Sequence, residues 1–106
     1  MRLCRLGPAV DAENAAYPPA VLLEYLNDRL TRSYTRGGTF VTAFYAVLDP
    51  AGRNLTYSRA GHNPPRLVRK GRVISLDEDG GLPMGILDEQ AYGQAAVTLE
   101  PGDLLL

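Results

Sequence analysis

The sequence has few of the residue types that build several common kinds of site. Its 106 residues include one cysteine, Cys4, one histidine, His62, and no tryptophan. One cysteine cannot form an internal disulfide, and with one histidine it cannot form a zinc site of the usual His/Cys kind. No apolar run approaches the roughly 20 residues that a membrane span needs, and no apolar signal stretch follows Arg2 and Arg5. The sequence therefore predicts a cytoplasmic protein without membrane contact.

Basic residues are absent from the last third of the chain. All eleven Lys and Arg lie in residues 1–72 with five acidic residues, whereas residues 73–106 contain seven acidic residues and no base. One interpretation is a basic face that attracts an anionic partner. We favour the other, in which the two halves interleave and neutralise each other, because the arginines are scattered along the chain. With a net charge of −1, a nucleic-acid partner is not predicted.

Composition and length indicate a globular domain or a piece of one. A hydrophobic fraction of 45% and a charged fraction of 22% are ordinary for a folded protein and argue against disorder. A length of 106 residues allows one domain at most. Residues 1–17 form a lead-in without a clear pattern, residues 18–34 predict a helix, and residues 39–106 predict mostly antiparallel β structure.

The predicted helix is amphipathic. Pro18 and Pro19 open it, since proline is tolerated in a first turn, where its missing N–H has no helical partner. Asp28 and Arg32 lie four residues apart in the favourable order for an ion pair. The apolar residues recur every three to four positions, which predicts one buried face. These residues are Leu22, Leu26 and Leu30, with Leu23 and Tyr25 widening the stripe.

The β region divides into runs separated by turn signals. Residues 39–49 are rich in β-branched and aromatic residues and apolar on both faces, which predicts a strand covered on both sides. Residues 54–60 predict its hairpin partner, and Lys70-Gly71 predicts a two-residue turn between two further strands. Other strands are predicted at residues 95–99 and from Leu104 onward.

The chain ends on three leucines at the start of a predicted strand. A terminus is normally polar and exposed, so this ending predicts a cut within a strand. We therefore expect an internal fragment of one domain that lacks both ends. Strand edges left exposed tend to pair with other chains, which predicts a homo-oligomer.

Two tracts of the β region resemble a known family. Phe40-Val-Thr-Ala-Phe-Tyr-Ala-Val-Leu-Asp49, followed by Leu55-Thr-Tyr-Ser-Arg-Ala-Gly-His-Asn-Pro-Pro65, resembles the SpoIIE-type serine phosphatases, a bacterial branch of the metal-dependent PPM protein phosphatases. Gly80-Gly-Leu-Pro-Met-Gly85 and residues 97–106 resemble the family's next segments, and the helix fits in order and spacing. The resemblance covers most of residues 18–106, and residues 60–65 are its most specific part.

The resemblance implies an α+β fold, part of an α-β-β-α sandwich in which two antiparallel sheets pack face to face. It also implies the chemistry. Aspartates at one edge of the sheets hold two Mn²⁺ or Mg²⁺ ions, which generate a hydroxide that attacks phosphoserine or phosphothreonine. Family substrates are typically phosphorylated antagonists of anti-sigma factors, so the implied partner is a phosphorylated regulatory protein. No nucleophilic serine or cysteine is expected.

The metal-binding aspartates that the resemblance implies are not in this sequence. The family carries them in a Gly-Asp…Gly-His-Gly motif upstream of residue 1 and in an Asp-Gly motif just past Leu106. Asp103 belongs to the turn before the late strand and is not expected to be a ligand. Asp77, Glu78 and Asp79 are consecutive in a loop, which is more typical of a solvated surface than of a site for a hard cation. We expect no metal ligand in this chain and no activity from it alone.

Gly61, His62 and Asn63 are the residues expected near the edge of the active site. In the wider PPM fold, the strand-end position that His62 matches can carry an aspartate near the metals. His62 and Asn63 would then orient phosphate or a water molecule. Alternatively, both residues shape the turn into Pro64 and Pro65, with Asn63 bonded to nearby backbone. No catalytic residue is assigned.

Three hypotheses stay open. The first is a piece of a SpoIIE-type phosphatase domain. The second is a non-catalytic phosphatase-like module that binds a regulator of sigma factors, and the sequence flanking this chain in its gene separates the two. The third is an unrelated small β domain. The position of His62 tests it, since a phosphatase domain needs this residue at the end of a central strand.

Overall fold

The computed structural model describes residues 17–33 and 38–106. The strands form two antiparallel sheets, sheet 1 in the order β1-β2-β5 and sheet 2 in the order β4-β3-β6. The predicted α+β fold with antiparallel sheets is therefore confirmed. The elements are α1 (Pro19–Ser33), β1 (Ala43–Asp49), β2 (Asn54–Ala60), β3 (Arg66–Arg69), β4 (Arg72–Ser75), β5 (Ala95–Thr98) and β6 (Leu104–Leu105).

Helix α1 begins at Pro19, as the two prolines predict. Asp28 and Arg32 form the expected ion pair, with 3.2 Å between Oδ1 and Nε. The prediction that Tyr25 widens the buried stripe was wrong, because its side chain is 58% exposed. The buried face is centred on Leu23 and Asn27, and Tyr25 lies about 200° around the helix from Leu23. Among the described residues, no helix is long and apolar enough to cross a membrane.

The predicted end of the helix at Tyr34 and the lead-in up to residue 16 lie outside the described residues.

Sheet 1 separates two apolar clusters. The inter-sheet cluster lies between the two sheets, and the helix-side cluster lies between sheet 1 and α1. Strand β1 contributes to both clusters. Phe44 belongs to the inter-sheet cluster, and Ala43 and Tyr45 pack against the helix-side cluster. The prediction of a strand covered on both sides is thus confirmed for the middle of β1, whereas Phe40, Val41 and Leu48 of the predicted run are exposed. The buried members are Phe44, Leu55, Tyr57, Leu67 and Leu76 between the sheets, and Leu23, Ala60, Met84 and Tyr92 beneath the helix.

Strand β1 begins at Ala43 rather than at Thr39 as predicted. Its pairing with β2 starts at Ala43 opposite Ala60, so the residues before it have no partner on β2. Val41 pairs instead with Met84, through N···O distances of 2.9 and 2.7 Å in the two directions. The apolar run of residues 39–49 therefore begins before sheet 1, and Val41 pairs there with the loop that contains Met84.

The two predicted hairpins are present. β1 pairs with β2 from Ala43–Ala60 to Asp49–Asn54, and β3 pairs with β4 across Lys70 and Gly71. Both turn residues have positive φ, 50° and 76°, as a type I′ turn requires. This turn matches the right-handed twist of its strands, which explains why the Lys-Gly pair could be recognised from sequence.

Candidate functional site

The candidate site lies where β2 ends and the chain crosses toward sheet 2. β2 is the central strand of sheet 1, and its last residue, Ala60, is fully buried. Gly61 follows with φ of 65° and donates its N–H to the carbonyl oxygen of Gly81 at 2.8 Å. A Cβ atom at Gly61 would overlap the ring of Pro83, so glycine is required here. Residues 60–65 and 80–85, the two tracts of the resemblance, thus meet at this point.

His62 is half-buried next to this contact, and its ring Nδ1 lies 2.8 Å from the carbonyl oxygen of Asn63. Because a carbonyl oxygen only accepts, the contact requires a hydrogen on Nδ1. The neutral ring then carries its lone pair on Nε2, the nitrogen that can accept a proton or hold a water molecule. The partner of the His62 ring is thus the backbone carbonyl of Asn63 and not its side chain.

A shallow, open cavity of about 570 Å³ lies beside His62. The end of sheet 2 closes one side of it, because Arg66 and Leu106 exchange backbone hydrogen bonds of 3.0 and 2.8 Å. The lining residues are His62, Asn63, Pro64, Pro65, Arg66, Ser75 and Leu106. The structure therefore brings His62 and Asn63 together at a cavity, with Gly61 just behind them at the strand end.

Arg59 contacts the same region, and the sequence analysis did not identify it as a site residue. Its guanidinium donates to three carbonyl oxygens: Nη1 to His62 at 2.9 Å, Nε to Asp79 at 3.2 Å and Nη2 to Asp77 at 3.5 Å. The signal was its position, since Arg59 shares a face of β2 with Leu55 and Tyr57 by the two-residue period of a strand. A charged side chain on a core-facing row needs polar partners, and here main-chain carbonyls provide them.

The acidic loop of residues 77–79 lies at this same end of the sheets. Burial raises the pKa of the Tyr57 hydroxyl, and the charge of nearby Glu78 raises it further. Asp79 is directed toward residue 93, because a Cβ atom built on Gly93 would lie 2.6 Å from its Oδ1. The loop therefore contributes backbone carbonyls to the site through Arg59, while the carboxylate of Asp79 lies near Gly93.

Polar side chains of sheet 1 and α1 anchor the segment from Gly80 to Gln94. Asn27, fully buried, accepts from the N–H of Gly85 and donates to the carbonyl of Leu87, both at 2.9 Å. The hydroxyl of Ser58, also fully buried, donates to the carbonyl of Gly93 at 2.6 Å. The hydroxyl of Tyr92 donates to the carbonyl of Leu82 at 2.8 Å, and burial raises its pKa. These bonds hold the segment that packs on Gly61.

The acidic residues in the described part of the chain do not form a metal centre. Within residues 17–33 and 38–106, no three His, Cys, Asp or Glu side chains are grouped so that they could hold a metal ion. Asp103 is engaged by Arg69, whose Nε and Nη2 lie 3.0 and 2.7 Å from Oδ1 and Oδ2. The hydrogen bond from Arg69 holds the pKa of Asp103 below its ordinary value. This carboxylate therefore has a structural partner.

Two antiparallel sheets packed face to face, with a helix against one of them, are consistent with part of the α-β-β-α arrangement of PPM phosphatases, and the Ala-Gly-His-Asn-Pro-Pro tract lies at the end of a central strand. The family model described as Stage II sporulation protein E (SpoIIE) matches residues 8–106. The chain belongs to this family, and the predicted relationship to SpoIIE-type phosphatases is confirmed.

Two curated proteins illustrate the relationship. The chain is 32% identical over 89 residues to the phosphoserine phosphatase RsbU of Bacillus subtilis (strain 168), an alignment that covers 83% of the chain and 26% of that protein. It is 28% identical over 92 residues to the protein IcfG of Synechocystis sp. (strain ATCC 27184 / PCC 6803 / Kazusa), covering 81% of the chain and 14% of that protein. The chain thus spans about a quarter or less of the length of these relatives.

Proposed function

We propose that this chain is part of a metal-dependent protein serine/threonine phosphatase that acts on a phosphorylated regulatory protein of the anti-sigma-factor-antagonist type. The observation that carries the proposal is the position of residues 60–65. They follow the central strand of sheet 1 and bring His62 to a cavity at the junction of the two sheets. The similarity to a phosphoserine phosphatase supports the reaction class.

The described residues do not fit the two Mn²⁺ or Mg²⁺ ions of such an enzyme. Hard cations need several clustered oxygen ligands, and no such cluster is present among residues 17–33 and 38–106. We therefore place the metal ligands of a parent enzyme outside the described residues and derive no step from a metal bound to them. What these residues do is shape the edge, through Gly61, and bring His62 to the cavity with its Nδ1 bonded to the carbonyl of Asn63.

The register of β6 supports a late acidic motif near His62. Leu106 is hydrogen-bonded to Arg66 in both directions within an antiparallel ladder. Residues that follow Leu106 in a longer parent protein would continue past Pro65 toward His62, because antiparallel strands advance in opposite directions. An acidic residue a few positions further would come close to His62, as the family resemblance expects.

The test is Mn²⁺-dependent hydrolysis of a generic phosphate ester by the 106-residue chain and by a version extended through both flanking motifs. We expect activity only in the extended version, with the substitution His62→Gln lowering kcat by about 10²-fold if Nε2 accepts a proton or orients water. Arg72→Gln, at an exposed residue of the β3–β4 hairpin, is the matched control and should leave kcat unchanged.

The other outcomes of this assay distinguish the alternative hypotheses. Activity of the 106-residue chain would mean that its own acids bind the metal. If neither version is active, the proposal fails and the second hypothesis, a phosphatase-like module that binds a sigma-factor regulator, takes its place.

A further inference from the structure

We propose that Arg59 is a positioning residue that fixes the main chain of His62, and through it the direction of Nε2, by tying the end of β2 to the acidic loop of residues 77–79. This deepens the proposed function and rests on it only where turnover is concerned. The basis is the set of three hydrogen bonds from one guanidinium to carbonyl oxygens of two separate segments.

The geometry of the guanidinium explains why arginine suits this role. Its planar fork donates from Nη1 to the carbonyl of His62 at 2.9 Å and from Nε to the carbonyl of Asp79 at 3.2 Å. A lysine ammonium carries the same charge but is a compact group that cannot reproduce the fork. Arg59 therefore bridges the segment that follows β2 and the loop that follows β4.

The contact acts on backbone and not on a carboxylate. Among the described residues, no acidic side chain forms an ion pair with Arg59, although its partners include the carbonyls of Asp77 and Asp79. An arginine that only balanced the charge of the loop would pair with its carboxylates. Here the charge strengthens hydrogen bonds to carbonyl oxygens, which define where the main chain runs.

The effect on His62 follows from adjacent peptide groups. The carbonyl of His62 belongs to the peptide that leads into Asn63, and the next carbonyl, that of Asn63, is the partner of Nδ1 at 2.8 Å. Only the backbone angles of Asn63, which Pro64 restricts, separate the two carbonyls, so holding the first peptide plane limits where the acceptor of Nδ1 can lie. Without Arg59, this acceptor can rotate away, and the ring can carry its hydrogen on Nε2 instead of Nδ1.

Gly80 offers a second way to displace the guanidinium. A Cβ atom at Gly80 would lie 2.7 Å from Nη2 of Arg59, and the φ of Gly80 is outside the left-handed region. The obstacle is the far end of a flexible side chain, which can move without unfolding the domain. Gly80→Ala should therefore displace Arg59 from its carbonyl partners while leaving residue 59 itself unchanged.

The experiment is ¹⁵N NMR of the 106-residue chain, recorded on the alkaline plateau of a pH titration of its histidine ring. His62 is the only histidine, so its ring signals need no assignment by mutation. We expect the wild-type ring to have hydrogen on Nδ1, and both Arg59→Lys and Gly80→Ala to shift its ¹⁵N signals toward a mixture of tautomers. The amide signal of Asn63 should move with them. Arg72→Gln is the control and should change neither.

The result that overturns the proposal is a folded Arg59→Lys and a folded Gly80→Ala that keep the wild-type signals of His62. A lowered unfolding temperature without a change in these signals has the same meaning, because a merely structural arginine would produce it. If Arg59→Lys does not fold, Gly80→Ala decides.

Turnover separates this proposal from the proposed function. In an active extended version, Arg59→Lys should lower kcat by about 10- to 100-fold with little change in KM, since a misdirected group slows chemistry more than binding. An unchanged kcat in an active enzyme would overturn the role in catalysis. Shifted His62 signals together with an inactive extended wild type would support the positioning role and reject the phosphatase.

Discussion

Sheet 1 and sheet 2 have the same number of strands but are covered differently. Sheet 1 lies between α1 and sheet 2, and the side chains at its centre, Tyr57 and Ser58, are 2% and 0% exposed. Sheet 2 buries one face, while Val73 and Leu104 on its other face are 64% and 54% exposed among the described residues. The candidate site follows the strand that is buried on both faces, which is where packing fixes side-chain positions most tightly.

Sheet 2 is tied to the rest of the domain by a charged contact. Arg69, at the end of β3, binds Asp103 with both Nε and Nη2 and donates to the carbonyl of Thr98 at 2.8 Å. Asp103 also accepts from the N–H of Glu100 at 2.7 Å. This Arg69–Asp103 clamp joins β3 to the connection between β5 and β6, so it links the two sheets at the end of β3. The comparison teaches that packing on both faces together with hydrogen bonds positions the site, whereas an ion pair holds the more open sheet.

The largest effect should come from Gly61→Ala. The added methyl group enters a left-handed conformation and overlaps Pro83, so unfolding free energy should fall by about 2–5 kcal/mol. Gly71→Ala is the matched control in sheet 2, because Gly71 also has positive φ but nothing lies near its Cβ position. It should cost about 1–2 kcal/mol. Equal losses in denaturant unfolding would contradict a role for the Pro83 contact.

The next effect tests the polar anchor of sheet 1. Asn27→Ala removes two buried hydrogen bonds to residues 85 and 87 and should destabilise the fold by about 1–3 kcal/mol. Tyr25→Ala on the exposed side of α1 is the control, with an expected change within about 0.5 kcal/mol. Thermal unfolding distinguishes them. A larger loss for Tyr25→Ala would mean that the helix packs on its other face.

A smaller effect is expected at the clamp of sheet 2. The pKa of Asp103 in the folded chain lies below its value in the unfolded chain, mainly through the Arg69 hydrogen bond. The carboxylate therefore stabilises the fold fully above the unfolded pKa of about 3.9, and this contribution is lost as pH falls through the lowered folded pKa. Asp103→Asn should lower the unfolding midpoint at pH 7, and the difference from wild type should shrink below about pH 4. If the difference in unfolding midpoint between Asp103→Asn and wild type did not depend on pH, the ionised Arg69–Asp103 clamp would be ruled out.

The smallest effect on stability is expected at the outer edge of sheet 1. Among the described residues β1 is the edge strand of sheet 1, and Leu48 is exposed on it, so we expect self-association through this edge. Leu48→Lys should leave unfolding free energy within about 0.5 kcal/mol of wild type but reduce association in light scattering. Val73→Lys, on the open face of sheet 2, is the comparison. If only Val73→Lys reduces association, the contact between chains is formed by the open face of sheet 2 and not by the β1 edge. A wild type that stays monomeric at high concentration would refute association through either surface.

The elements that sequence could predict are those specified by local patterns. The two-residue turn at Lys70-Gly71 and the prolines that open α1 each depend on the conformations available to one or two residues. The contacts of Asn27, and those of Arg59 with residues 77 and 79, could not be found in the same way, because their partners are backbone atoms of distant segments. Asn27 bonds residues 58 and 60 positions away, and no local period encodes such a contact. The late start of β1 has the same origin, since Val41 pairs with Met84 in a loop far along the chain.

The pairing of strands also sets an expected order of folding. The β1–β2 and β3–β4 hairpins join neighbouring segments, and hairpins of this kind close in roughly 1–10 μs. β5 pairs with β2 across a separation that reaches from Asn54 to Thr98, and β6 reaches back from Leu105 to Leu67. Closing these long loops costs more chain entropy, so both sheets should be completed only after the hairpins exist. The cavity wall that Leu106 provides would then be among the last parts of the domain to form, and the first to open when the chain unfolds locally.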